Sequence, residues 1–296
     1  MATVSETLRG SGPGASMLRR RHRRDRAMTV LMTVLMIAIG GLLAWILLYV
    51  ALKGIHALNW GFLTDTPPGN PSDAGGGFYN GIIGSLIIVG LATLAAVPLG
   101  IGCAICLNQY AGGRSASMLR LVVDVMLGIP TIVTGAFVYA IWVIYFGFSG
   151  YAGALALGLV MVPLIVRATE EMLRLVPRDV QEASYALGVT QSRTIVSVLL
   201  PTARAGIITG VMLAVARAMG ETAPLLLTAL GNDLFVETNP GNRMSTLSMQ
   251  IFTGATGGFT NAQDRAWAGA LTLIVIVLAL TIVARLVSRS SAVGGR

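Results

Sequence analysis

Glu182-Ala183-Ser184-Tyr185-Ala186-Leu187-Gly188, with thirteen further residues ending at Leu200-Pro201, is a polar, charge-bearing segment between two long apolar runs. Pro177-Arg178-Asp179 precedes it, and Asp179 with Glu182 three residues on reads as an N-cap with its capping-box partner. Val180, Ala183 and Leu187 then share a helix face, leaving Glu182 and Tyr185 on others. Gly188 suits the left-handed conformation that ends a helix, Thr190 can cap a second one, and Pro201 is expected to stop it. The segment reads as a stiff elbow. An amphipathic helix that covers a membrane surface is the plainer alternative.

The surroundings of the elbow set the fold class. The chain has 296 residues, 54% hydrophobic and 11% charged, and its mean hydropathy is +0.75, far from an ordinary globular domain. Ala27–Leu52 and Gly81–Leu107 are uncharged runs of 26 and 27 residues, each enough to cross a hydrocarbon core of about 30 Å. Val125–Val166 is uncharged for 42 residues and carries a turn signal at Gly147-Phe148-Ser149-Gly150, so it reads as two helices, the first starting near Leu121. Ala205–Leu230 and Ala266–Ala284 complete an all-α membrane protein with six transmembrane helices.

Arginine positions orient the spans. With the N-terminus inside, seven arginines lie before Ala27, two in Asn108–Arg120, five in Arg167–Arg204 and three after Ala284, seventeen of the 21 basic residues. That asymmetry predicts an N-in, C-in multi-pass protein of the plasma membrane. Residues 1–26 read as a solvated basic tail that fixes topology rather than a nucleic-acid patch, because they abut the first span at 27–52 with no folded domain between. The apolar core is too long for a removable signal peptide. A second short tail is expected over 286–296.

Enzymatic motifs are scarce. The sole lysine is Lys53, in Ala51-Leu52-Lys53-Gly54, so a G-x-x-x-x-G-K-[ST] phosphate loop is excluded and any ATP, with its Mg, is expected on another chain. No cofactor is expected on this one. Cys103 and Cys106 read as small apolar residues packed in the bundle, since His22 and His56 are far from them in sequence. In the outer loop 231–265, Met244, Leu247, Ile251 and Phe252 mark an apolar stripe, interrupted by Ser248 and leaving Met249 off it. It fits a helix dipping toward the bundle mouth or an ordinary packed loop helix.

Arg217 is the thirteenth of 26 residues in its expected span, with Glu221 four residues on in Met219-Gly220-Glu221-Thr222-Ala223-Pro224. A mid-membrane arginine costs about 2.5–3.5 kcal/mol on insertion scales, so it should face protein or water. The i, i+4 pair is either a structural ion pair or a site met by an anion in passage. Arg167 is either a topology anchor or a cation at the inner end of the same path. Arg120 and Asp124, also i, i+4, read as a pair at a helix end. Pro98, Pro130, Pro163 and Pro224 are expected to interrupt spans, as broken helices around a polar cavity do.

These residues carry a resemblance. Glu182, Ala183, Ser184, Leu187, Gly188, Leu200 and Pro201 resemble the loop by which permeases of type I ABC importers (the MetI-like bundle) receive force from their ATPases; the family usually has alanine at the position of Ser184. Gly128-Ile129-Pro130-Thr131-Ile132-Val133-Thr134-Gly135, the Arg167 segment and Arg217–Pro224 are similar to phosphate-specific permeases of the PstA family, over roughly residues 75–285 with 167–204 as the coupling loop. The resemblance implies a transport protein rather than an enzyme. It would work with a homologous second permease, an ATPase dimer and an extracytoplasmic phosphate-binding protein. Sulfate or molybdate permeases share the elbow and an anion path. An ion-coupled secondary transporter also uses intramembrane Arg and Glu, but needs no docking helix for a motor.

Overall fold

The structure, a computed structural model, describes residues 13–110 and 112–293. The described residues are helical apart from loops and an isolated bridge between Leu230 and Met244. In chain order the helices are α1 (Pro13–Ala57), α2 (Trp60–Thr64), α3 (Tyr79–Tyr110), α4 (Gly113–Gly128), α5 (Thr131–Phe146), α6 (Gly150–Arg174), α7 (Arg178–Ala186), α8 (Gln191–Gly220), α9 (Ala223–Thr228), α10 (Leu247–Thr256) and α11 (Thr260–Val293).

Among the described residues five helices are long and apolar enough to cross a membrane: Arg24–Ala57 within α1, α3, α6, α8 and Thr260–Leu286 within α11. The sixth candidate span is a bent pair. α4 and α5 pass the same test together but meet at 100°. The cause is local: Pro130 bars its predecessor from helical geometry, and Ile129 is extended at φ −71, ψ 129. Pro130 thus interrupts the span as expected, but the first member of the pair starts at Gly113 rather than near Leu121. The turn before α6 is where its signal placed it. Gly147 has φ +83, and Ser149 Oγ accepts from the Ala152 N–H at 3.2 Å.

Two of the four prolines do not interrupt anything. α3 runs through Pro98 and α6 through Pro163, whereas Pro130 caps α5 and Pro224 opens α9. From Pro13 onward the basic segment is helix, continuous with the first span, while residues 1–12 lie outside the described residues. Side chains from Met28 to Tyr49 are exposed, as suits a lipid-facing helix. At the other end α11 continues to Val293, and 294–296 lie outside the described residues.

The core lies between α3, α6, α8 and α9, with Ile88, Leu157, Met161, Ile165, Leu199 and Leu225 buried. Lipid is as apolar as leucine, so close backbone approach rather than water exclusion must hold these helices together. Glycines permit it. A Cβ at Gly100 would sit 2.7 Å from Ile165 Cγ2, Gly210 packs on Ala168, and Gly206 packs on Met172. Gly206 and Gly210 have the small-xxx-small spacing of membrane helix contacts.

Two further expectations are corrected, and the outer-loop helix takes one of its two expected forms. Cys103 and Cys106 are free and exposed rather than packed in the bundle. Arg120 does not pair with Asp124. Its Nε donates to Glu170 Oε1 at 2.7 Å and an Nη to the Leu107 carbonyl at 3.0 Å, tying α4 to α6 and α3. The stripe on α10 is only partly apolar: Ser248, Met249 and Gln250 are buried while Phe252 is exposed, because that helix buries a polar network. Gln250 Nε2 donates to Asn80 Oδ1 and Asp233 Oδ1, each at 2.9 Å, and Ser85 Oγ accepts from the Leu247 N–H at 2.8 Å. These bonds seat α10 on the start of α3, so it is a packed helix.

Candidate functional site: an elbow and a charged helix break

The elbow has the bend its sequence implies. At the end of α7 the Gly188 N–H reaches the Tyr185 carbonyl at 2.9 Å and the Val189 N–H reaches that of Ser184 at 3.2 Å. With Gly188 at φ +76, this is a Schellman closure. The start differs. α7 begins at Arg178 after Pro177, which has no side chain to cap with, and Asp179 lies in the first turn, where its charge complements the helix dipole. Thr190 precedes α8, but its carbonyl, not its hydroxyl, meets the Thr194 N–H, at 2.9 Å.

Pro201 does not end the second arm. α8 runs 30 residues from Gln191 to Gly220. A wide π turn over Ile195–Leu199 precedes Pro201, relieving the clash its ring would make with the preceding turn. Leu200 and Pro201 thus lie inside one rod that begins at the elbow and ends beside Arg217. The arms are locked by a hydroxyl pair: Ser184 Oγ and Thr194 Oγ1 lie 2.8 Å apart, both buried. Glu182, Ala183 and Leu187 are exposed, Leu187 by 84%.

The second constellation sits at the other end of that rod. Helix α8 stops at Gly220, so Arg217 lies in its last turn rather than at mid-span. Glu221 is extended at ψ 130, and α9 starts after Thr222. Pro224 therefore opens the next helix instead of loosening this one. Arg217 Nε and Glu221 Oε1 are 3.4 Å apart, with side chains 49% and 15% exposed. Among the described residues the Arg217 Nη groups meet no acceptor. Helix α9 packs on α5 so closely that a Cβ on Gly135 would stand 2.6 Å from Pro224 Cα. Two broken helices thus meet beside the pair.

Arg167 is not brought to Arg217. Its Nε contacts Glu171 at 3.0 Å and an Nη lies 3.9 Å from Asp124. Ala168 packs on Gly210, which puts Arg167 about two helical turns, roughly 10 Å, from Arg217 along α8. Sequence reasoning misses Ser248, whose hydroxyl donates to the Glu221 carbonyl at 2.8 Å, and Thr222, whose hydroxyl donates to the Ser248 carbonyl at 3.4 Å. In the sequence Ser248 shows only as a polar interruption of a stripe.

Residues 96–292 match the family described as binding-protein-dependent transport system inner membrane component. The chain belongs to that family. It is accordingly a multi-pass inner membrane permease, not itself an enzyme. The "Phosphate transport system permease protein PstA 1" of Mycobacterium tuberculosis (strain CDC 1551 / Oshkosh) is 40% identical over 275 residues, covering 91% of this chain and 90% of its own. The "Phosphate transport system permease protein PstA" of Haemophilus influenzae is 42% identical over 246 residues, 82% of this chain and 86% of its own. Among solved structures, the inward-facing MetNI methionine ABC transporter aligns with TM-score 0.59 at 17% identity, over 71% of this chain and 94% of that one. A bacterial ABC transporter involved in alginate import aligns with TM-score 0.52 at 14% identity, over 93% and 99%. These structures share the fold of an ABC importer permease.

Proposed function

We propose that this chain is the permease through which an ATP-driven importer moves inorganic phosphate across the inner membrane. Its partners are a second homologous permease, an ATPase dimer seated on the elbow, which supplies ATP and Mg, and an extracytoplasmic phosphate-binding protein. The observation that carries this reading is mechanical: the elbow and the Arg217–Glu221 pair are the two ends of one unbroken helix, α8. Movement of the ATPase against Glu182, Ala183 and Leu187, transmitted through Gly188, Leu200 and Pro201, becomes movement of Arg217. The phosphate-transport names of its 40%-identical relatives support the choice of ion.

Arg217 offers its Nη donors as a fork suited to an oxyanion. Glu221 compensates its charge when the path is empty. When phosphate arrives its oxygens take the guanidinium, and its hydroxyl donates to Glu221. Sulfate has no proton to give at neutral pH, which leaves the carboxylate unpaired and penalised. Arg167, two turns toward the cytoplasm, is the exit cation.

The test uses the complete complex in proteoliposomes with a binding-protein-independent assay. Arg217→Gln is expected to abolish uptake while the complex still assembles, and Glu221→Gln to relax discrimination against sulfate. Wild-type uptake by Arg217→Gln would reduce the pair to a structural ion bridge. Uptake by the unaltered complex without ATP, on an imposed ion gradient, would favour a secondary transporter.

A further inference from the structure

We infer that Ser248, on the outer-loop helix α10, is a positioning residue that holds Glu221 in register with Arg217. The inference rests on the reading of that pair as the anion path. It begins with a backbone account. In an unbroken helix the Glu221 carbonyl would accept the Leu225 N–H, but at the break Leu225 turns back to the Thr222 carbonyl at 3.1 Å. The Glu221 carbonyl thus loses its helical donor and needs another, because a backbone carbonyl left unpaired away from water is costly. Ser248 Oγ fills the vacancy at 2.8 Å.

The direction of that hydrogen bond is determined. Ser248 has one hydroxyl proton and gives it to Glu221. Thr246 Oγ1, 3.1 Å away, must therefore donate to Ser248 Oγ, while itself accepting from the Met249 N–H. The chain Met249, Thr246, Ser248, Glu221 polarises in one sense, which strengthens its last link. Thr222 returns a bond to the Ser248 carbonyl at 3.4 Å, so both residues of the break are tied to the first turn of α10. That turn is fixed in its own right by Ser85 and Asn80 at the start of α3. Ser248 is buried, and the 3.4 Å contact between Arg217 and Glu221 is long enough that a modest rotation of the Glu221 peptide would open it. Ser248 thus sets where the carboxylate stands, and links a helix of the outer loop to the path.

The experiment measures phosphate and sulfate uptake by the complete complex over a concentration series. Ser248→Ala is expected to lower the phosphate-over-sulfate ratio about tenfold, the effect of one buried hydrogen bond, and to raise the KM for phosphate. Ser248→Thr keeps the hydroxyl and should restore both. Adding Ser248→Ala to Glu221→Gln should change the ratio no further, because Ser248 acts through Glu221. A wild-type ratio and KM in Ser248→Ala would overturn the inference. If that variant does not assemble, Thr222→Val loosens the break from the other side, and an unchanged ratio there overturns it equally. Arg217→Gln in the same series separates the two claims: full uptake there removes the path itself, whereas an inert Ser248 beside an essential Arg217 removes only the strut.

Discussion

Glu170 is 2% exposed and carries two arginines on one oxygen: Arg120 from α4 at 2.7 Å and Arg174 from its own helix at 2.5 Å. A buried carboxylate with one remaining partner is tolerable, but one with none suffers the full desolvation cost. Arg120→Ala or Arg174→Ala alone is expected to destabilise the detergent-solubilised complex by about 1 kcal/mol, since each arginine is partly hydrated already. The double variant should lose roughly 3–5 kcal/mol, well beyond the sum. Thermal unfolding of the four species would show it, and simple additivity would refute the shared clamp. This cluster also shows where the sequence is legible at the scale of side chains. Arg217 with Glu221 is legible because they are four residues apart at the end of one helix, Arg217 in its last turn and Glu221 just past it, and the structure joins them. Arg120 with Asp124 has the same spacing and misleads, because the stronger partner arrives from a helix fifty residues away. Periodicity exposes contacts within a helix and says nothing of those between helices.

At the scale of elements, the elbow depends on one backbone conformation. Gly188 has φ +76, and a Cβ built there would meet nothing within 4 Å. Substitution therefore strains the backbone without a clash, by roughly 1–2 kcal/mol for an ordinary residue and more for a β-branched one. Gly188→Val is expected to uncouple the transporter, raising the ATP consumed per phosphate moved, while the helices still insert. Gly188→Asn, which accepts the left-handed region more readily, should stay close to wild type. Unchanged coupling in the valine variant would show that the bend transmits no force. Gly188, Gly147 and Pro130 are readable because each imposes its geometry on its immediate neighbours. Pro98, Pro163 and Pro201 mislead because a long helix absorbs a proline, in the last case through the widened turn at Ile195–Leu199. Reading Pro201 as a stop hides the continuity of α8, and running the span on to Leu230 across the break at Glu221 puts Arg217 in the middle of a helix that ends three residues after it.

For the molecule as a whole, the Arg217–Glu221 pair has no second copy among the described residues, and apolar side chains such as Leu213 on α8 and Ile132, Val133 and Phe137 on α5 are exposed. Half a path is expected to need another half. Expressed without a second permease, this chain should be recovered aggregated or degraded, and co-expression should restore it to a stable complex by size-exclusion chromatography. A stable monomer that moves phosphate in liposomes would contradict this. The meeting of Gly135 with Pro224 has a further consequence, for how the chain is made. The two positions are 89 residues apart, which a ribosome working at about 5–20 residues per second covers in roughly 5–20 s. Through that interval the half-helix bearing Gly135 has been synthesised and its counterpart has not. The newborn chain holds that half-helix without its counterpart until Pro224 emerges, so the contact between the two breaks can form only late in synthesis.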